Sequence, residues 1–253
     1  RKTRKVENPR MRVGFFTGCL INYIYVDIAE AVVDVLNKMD IEVVIPQRQL
    51  CCGTPSSTMG DVRSSKKLAE ENRKVFEALE LDAIVSACAT CTKSIKNDYM
   101  RILGPSWKNM SDKIYDISEF IDKFIGDIPG VKPIGDKVTY HDPCHLLWVR
   151  DISEEPRNIL KKSSRFVDMD MADACCGGGG IFTIIHYDLT LKMLERKVDS
   201  IERSGADTVA TNCPGCVMQI ADGLAGKNSH IKTTHTIQIL QEALKNGERG
   251  KCK

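Results

Sequence analysis

No apolar run in the sequence approaches the roughly 20 residues that span a bilayer, so no transmembrane segment is expected. The first residues lack the basic-then-apolar layout of a secretory signal. The chain begins at Arg1 rather than Met, as a trimmed chain or a piece of a longer one would. It also lacks charge of one sign, with 36 Lys and Arg against 34 Asp and Glu, net +2. Residues 1–10 hold Arg1, Lys2, Arg4, Lys5 and Arg10 against Glu7, a local +4; taking this from +2 leaves −2 for the rest. A slightly acidic body with a basic arm excludes a nucleic-acid-binding footprint, which needs a basic face on the fold itself. The arm reads as a solvated extension, with an acidic partner or anionic lipid as the sharper alternative.

Nucleotide motifs are missing too. There is no G-x-x-x-x-G-K-[ST], and Gly177-Gly178-Gly179-Gly180 fails G-x-G-x-x-G because Phe182 or Thr183 takes the third glycine's place. What remains is an ordinary globular composition, 42% hydrophobic and 28% charged over 253 residues, enough for one large domain or two small ones.

Cysteine is the exception, with 11 in the chain. Ten form two ordered sets: Cys19, Cys51, Cys52, Cys88 and Cys91, then Cys144, Cys175, Cys176, Cys213 and Cys216. Corresponding members are 125, 124, 124, 125 and 125 residues apart. Their flanks repeat as well: Cys51-Cys52-Gly53 answers Cys175-Cys176-Gly177, and Cys88-Ala89-Thr90-Cys91 answers Cys213-Pro214-Gly215-Cys216. This is an internal duplication. Glycines and prolines at 126–135 punctuate the join, so the expected domains are 1–125, including the 1–10 arm, and 126–253.

Strands are expected at 11–17, 42–45, 82–86 and 113–116, then at 137–141, 165–168 and 207–211. Helices are expected at 27–39, with Ile28, Val32, Val35, Leu36 and Met39 inward, at 63–79 and at 93–102. A further helix in the second half has Leu191, Leu194, Val198 and Ile201 on one stripe. Alternating strands and helices mean α/β architecture: two tandem, pseudo-symmetric domains, each with a small parallel sheet flanked by helices. All ten repeated cysteines then fall in loops after strand C-termini, the edge where such sheets bind ligands.

Disulfides fit poorly, because five is odd and nothing marks the chain for export. Structural zinc is the serious rival, since Cys-x-x-Cys supplies good tetrahedral ligands, but four ligands leave one thiol of each five unused. Adjacent cysteines diverge and suit two irons of a larger cluster better than one small ion. The glycines after each Cys-Cys would let backbone N–H groups approach sulfur. His141, His145 and His186 are candidates for tuning a centre or moving a proton, against the commoner outcome of a satisfied loop histidine. Asp142 is expected to cap the following helix or accept loop hydrogen bonds, and Cys252 to be a free thiol without a role.

Two copies of C-x(~31)-C-C-G-x(~35)-C-x-x-C resemble the Cys-Cys-Gly, or cysteine-rich, domain family, which includes the B subunit of heterodisulfide reductase and the iron–sulfur subunits of glycolate and lactate oxidation systems. Gly14-Phe15-Phe16-Thr17-Gly18-Cys19, His141-Asp142-Pro143-Cys144-His145, the 175–180 segment and 212–220 look closest to the glycolate/lactate type. The resemblance implies a [4Fe–4S] cluster, non-cubane in the heterodisulfide reductase branch, on all five cysteines of each set. Zinc in one half remains an alternative.

It also implies an iron–sulfur electron-transfer subunit of an oxidoreductase. Such a subunit takes electrons from a flavoprotein that oxidises a 2-hydroxy acid and passes them to a quinone or another redox subunit. Two other readings stand beside it: a disulfide or thiol reductase acting at the cluster, and a zinc-stabilised scaffold. No C-x-x-C-x-x-C-x-x-x-C-P run is present, so a ferredoxin-like redox partner is expected on a separate subunit or a missing N-terminal part. The expected location is cytoplasmic, peripheral to the membrane's inner face through partners.

Overall fold

The computed structural model describes residues 6–249, so the expectations for Arg1, Lys2, Arg4, Lys5 and Cys252 lie outside the described residues. The chain divides into two compact units between Ile121 and Asp122, inside the helix Ile117–Phe124.

In the first unit, β1 (Met11–Phe15), β2 (Ile41–Val44), β3 (Ala83–Ser86) and β4 (Ile114–Asp116) form a parallel sheet in the order β2-β1-β3-β4. In the second, β5 (Lys137–Tyr140), β6 (Arg165–Phe166), β7 (Thr208–Thr211) and β8 (Lys232–His235) repeat it as β6-β5-β7-β8. Every pairing is parallel, so helical crossovers cover the sheet faces; β3 and β7, inside the sheets, are buried on both sides, whereas the edge strands β6 and β8 are partly exposed. Both orders put the chain reversal beside the first strand of the unit, where neighbouring loops leave in opposite directions and open a crevice.

The helix Val26–Lys38 turns Ile28, Val32, Val35 and Leu36 inward, and Met39 follows at its end; all five are buried. Burying such a side chain contributes roughly 1.5–3 kcal/mol. Asp61 caps the helix Val62–Glu77 by accepting the Ser64 N–H at 2.9 Å. In the second unit Val138, Tyr140, Leu160, Ala210, Ile239 and Ala243 form one core cluster.

Three local expectations need correction. The helix expected at 93–102 is broken: Ala89–Lys93 is α-helical, Ser94–Asp98 is a widened π turn, and Tyr99–Leu103 resumes the α-helix. Side chains satisfy carbonyls of that turn, Trp107 Nε1 donating to Ile95 O at 2.7 Å and Ser111 Oγ to Lys96 O at 3.0 Å. On the helix Tyr187–Arg203, Leu194, Val198 and Ile201 are buried but Leu191 is 40% exposed. The helix Pro214–Gly226 crosses this one at Gly223, where an added Cβ would lie 2.7 Å from Leu194; beside Leu191 it offers Gly223 and Gly226, too small to cover it. Finally, β8 has no counterpart among the expected strands.

Candidate metal centre

Each unit brings its five cysteines together at the C-terminal edge of its sheet. Cys19 sits in the first turn of the helix Gly18–Tyr23 after β1, Cys51 and Cys52 follow β2, and Cys88 and Cys91 bracket the turn after β3. Their thiols touch in series: Cys19 with Cys51, Cys51 with Cys52, Cys52 with Cys91, and Cys91 with Cys88. The second unit repeats the order, Cys144 with Cys175, Cys175 with Cys176, Cys176 with Cys216, and Cys216 with Cys213. All ten are free thiols. Cys52, Cys88, Cys91, Cys176, Cys213 and Cys216 are buried, Cys51, Cys144 and Cys175 half-buried, and Cys19 exposed.

The electrostatics ask for a cation. In the first unit hydrogen bonds from Cys51 and Cys91 favour a Cys52 thiolate, and bonding to Cys51 and Cys52 pushes Cys19 and Cys91 up. In the second, donation from Cys144 and Cys176 holds Cys175 down at about 2, and bonding to Cys175 pushes Cys176 up to about 12. Five thiols in contact cannot all ionise unaided, because each thiolate repels the next. A bound polycation removes that repulsion and suits soft thiolate ligands, so the donor set fits a metal or metal–sulfur group.

Backbone geometry serves the sulfurs in the same way twice. Gly53 and Gly177 adopt left-handed φ of 85° and 83°. The N–H groups of Gly53 and Thr54 then donate to Cys51 and Cys52, and those of Gly177 and Gly178 to Cys175 and Cys176. The glycine run therefore offers its first two N–H groups to sulfur, whereas Gly179 N–H bonds to Gly177 O at 2.8 Å. Gly18, at φ 63°, leaves room for Cys91: a Cβ there would sit 2.7 Å from its sulfur.

Three supporting residues went unrecognised in the sequence. Buried Asn72 accepts the Leu50 N–H at 2.7 Å and donates to Cys51 O at 3.0 Å and Tyr99 Oη at 2.9 Å, holding the Cys-Cys loop. Ser94, in the π turn, donates to Cys52 O at 2.9 Å. Lys197, 125 residues beyond Asn72, is also buried; its ammonium bonds the carbonyls of Met171 and Ala172 before the second Cys-Cys pair. Burial lowers its pKa to about 8. A polar residue on an apolar helical stripe, repeating at the cysteine offset, was the signal available.

Of the three histidines, only His141 joins a quintet: a ring nitrogen and the sulfurs of Cys176 and Cys216 lie within 4.8 Å of one another. His145 is half-buried, and His186 is exposed with its ring 5.0 Å from Phe182. Asp142 does not cap the helix Cys144–Arg150, whose N-cap is Pro143. It accepts Arg157 Nη1 and Nη2 at 2.7 and 2.6 Å and Ser153 Oγ at 3.0 Å. Its side chain is 3% exposed and that of Arg157 11%. Arg157→Met therefore strands a buried carboxylate beside Cys144 and is expected to cost about 3–5 kcal/mol in denaturant unfolding. The double variant with Asp142→Asn should recover most of it; equal losses would show that the pair is solvated.

Two parallel sheets, each gathering five thiols at its C-terminal edge, define a duplicated cysteine-cluster protein. The chain belongs to the cysteine-rich domain family, which matches it twice, at residues 13–96 and 138–221, a repeat of 125. It is 35% identical over 240 residues to the B subunit of fumarate reductase (CoM/CoB) from Methanothermobacter marburgensis, covering 94% of this chain and 47% of that protein. It is 32% identical to the probable glycolate oxidase iron-sulfur subunit of Bacillus subtilis, covering 92% and 55%. Lactate utilization protein A of the same organism is 28% identical, with 91% and 99% covered. The chain thus spans about half the length of the first two relatives and nearly all of the third. The crystal structure of a hypothetical protein from Helicobacter pylori shares the fold, with a TM-score of 0.62 at 12% identity, covering 94% of this chain and 49% of that one. Among the described residues no helix is long and apolar enough to cross a membrane.

Proposed function

We propose that the chain is an iron–sulfur electron-transfer subunit of an oxidoreductase, built as domains 1–125 and 126–253. One centre would be held by Cys19, Cys51, Cys52, Cys88 and Cys91, and the other by Cys144, Cys175, Cys176, Cys213 and Cys216. The observation that carries this is the same series of thiol contacts formed twice. Five thiolates at each site exceed what one zinc ion uses and suit a [4Fe–4S] cluster, including a non-cubane one. Such a cluster supplies one-electron chemistry. The protein holds its ligands, directs four backbone N–H groups at sulfurs of the two Cys-Cys pairs and buries six of the ten cysteines, all of which set potential.

Donor and acceptor would be partner subunits, with a 2-hydroxy-acid flavoprotein on one side and a quinone or ferredoxin-like subunit on the other. In support, exposed apolar residues recur beside the two sites at the duplication's spacing: Tyr23 and Ile24 after Cys19, Trp148 and Val149 after Cys144. Exposed pairs of this kind suit a redox partner's docking face.

A second reading has its own observation. Beside the first site lies an open cleft lined by Cys19, Cys51, Tyr23 and Gln49, where a small disulfide could reach the centre. Anaerobic iron, sulfide and zinc analysis with EPR tests the reading. Iron and sulfide in both halves are expected; stoichiometric zinc without sulfide overturns it, and one zinc with one cluster makes the subunit half structural. The loaded protein should accept electrons from a reduced donor without cleaving small disulfides. Disulfide turnover, with a new paramagnetic species on adding thiol, would replace the carrier by the reductase.

A further inference from the structure

The two quintets match, but the side chains around their sulfurs differ: Thr54 Oγ1 lies 3.4 Å from Cys52 Sγ where the second unit has Gly178, and a histidine reaches the second set alone. His141 directly follows β5, three residues before Cys144, its backbone N–H bonded to Ala210 O at 2.9 Å. Its side chain is 1% exposed. One ring nitrogen lies within 4.8 Å of the sulfurs of both Cys176 and Cys216, one in the loop after β6 and the other in the first turn of the helix after β7. Its Nδ1 has no hydrogen-bond partner among the described residues. A buried imidazole nitrogen left unpaired costs about 1–3 kcal/mol, so such groups are rarely kept without a partner. The position 125 residues earlier, also three before its cysteine, is Phe16, equally buried and packed on Phe76 with ring centroids 5.8 Å apart. That position offers no ring nitrogen.

We infer that His141 contacts the second metal centre directly through a ring nitrogen, so that the two duplicated centres are chemically inequivalent. The inference rests on the iron–sulfur reading of the site and adds an imidazole to its thiolates. Imidazole is neutral where thiolate is anionic, and an imidazole N–H stabilises charge on sulfur. A bond to iron and a hydrogen bond to sulfur therefore both raise the centre's reduction potential. No electron or proton is consumed by the contact itself. The second centre should thus be reduced before a variant of itself that has Phe in that place.

The experiment uses the full chain, loaded anaerobically and labelled with ¹⁵N-histidine, with Cys176→Ser identifying the second centre's signal. Pulsed EPR should show a histidine nitrogen coupled to that signal alone: a strong coupling marks a bond to iron, a weak one an N–H···S bond, and either supports the contact. EPR-monitored titration of His141→Phe should move the second midpoint downward and leave the first unmoved, with His141→Gln, which keeps an N–H, recovering part of the shift. Because the nitrogen measurement needs no change at His141, it decides the matter even where His141→Phe loses its cluster. Iron and sulfide present with no nitrogen coupling, or with coupling at the centre that survives Cys176→Ser, overturns the inference alone. Absence of iron and sulfide removes the iron–sulfur reading, and the inference falls with it.

Discussion

Cys176→Ser is expected to abolish the second centre's EPR signal and remove about half the iron, while the first centre keeps its full signal. Each quintet is assembled within its own unit: every thiol contact in the first series joins residues 19–91, and every one in the second joins 144–216. Cys176 is the link of its series, 1% exposed and touching both Cys175 and Cys216. Removing its sulfur therefore separates the Cys144–Cys175 end from the Cys213–Cys216 end. Cys52→Ser should mirror the result in the first unit, since Cys52 joins Cys51 to Cys91. Metal and sulfide analysis of both variants, with EPR, checks this. Equal loss of both signals would mean that the cysteines are shared across the duplication.

Gly18→Ala is expected to destroy the first centre for a steric reason. The left-handed backbone there, φ 63°, costs a non-glycine residue about 1–2 kcal/mol. The added Cβ also lies 2.7 Å from the sulfur of Cys91, which is itself fixed against Cys52 and Cys88. A displaced sulfur cannot keep its place in the series, so the iron and the signal of that half should disappear. Gly60→Ala is the control: φ is 79°, but nothing lies within 4 Å of the new Cβ. It should lose only the backbone penalty of about 1–2 kcal/mol in urea unfolding and keep both centres. Equal metal loss in the two variants would show that backbone strain rather than sulfur placement is responsible.

Most of the architecture was legible in one dimension because the chain is written twice. The 125-residue offset required two copies of one fold, and buried runs such as Val13–Phe15 and Ala83–Ser86 carry the apolar composition of parallel strands. β8 escaped because Lys232-Thr233-Thr234-His235 has no apolar pattern. It is an edge strand whose identity comes from pairing with β7, Thr208 opposite Lys232 through Thr211 opposite His235. The π turn escaped for a related reason: Trp107 and Ser111 bond carbonyls there, and local periodicity does not contain those partners.

The sequence by itself determined which sulfurs act together, because spacing and order are one-dimensional properties that duplication preserves. It also determined that glycine must follow each Cys-Cys pair, since the left-handed backbone that turns N–H groups toward sulfur favours a residue without Cβ. Only the tertiary structure decided what surrounds the sulfurs. Phe16 and His141, or Asn72 and Lys197, occupy the same places in the repeat, and their side chains gain meaning from strands and helices far away in sequence. His141 was one loop histidine among three until the β5 and β7 edges brought it to Cys176 and Cys216. Contact is a property of the folded sheet edge, so the likeness of the two sites could be read from the chain and their difference could not.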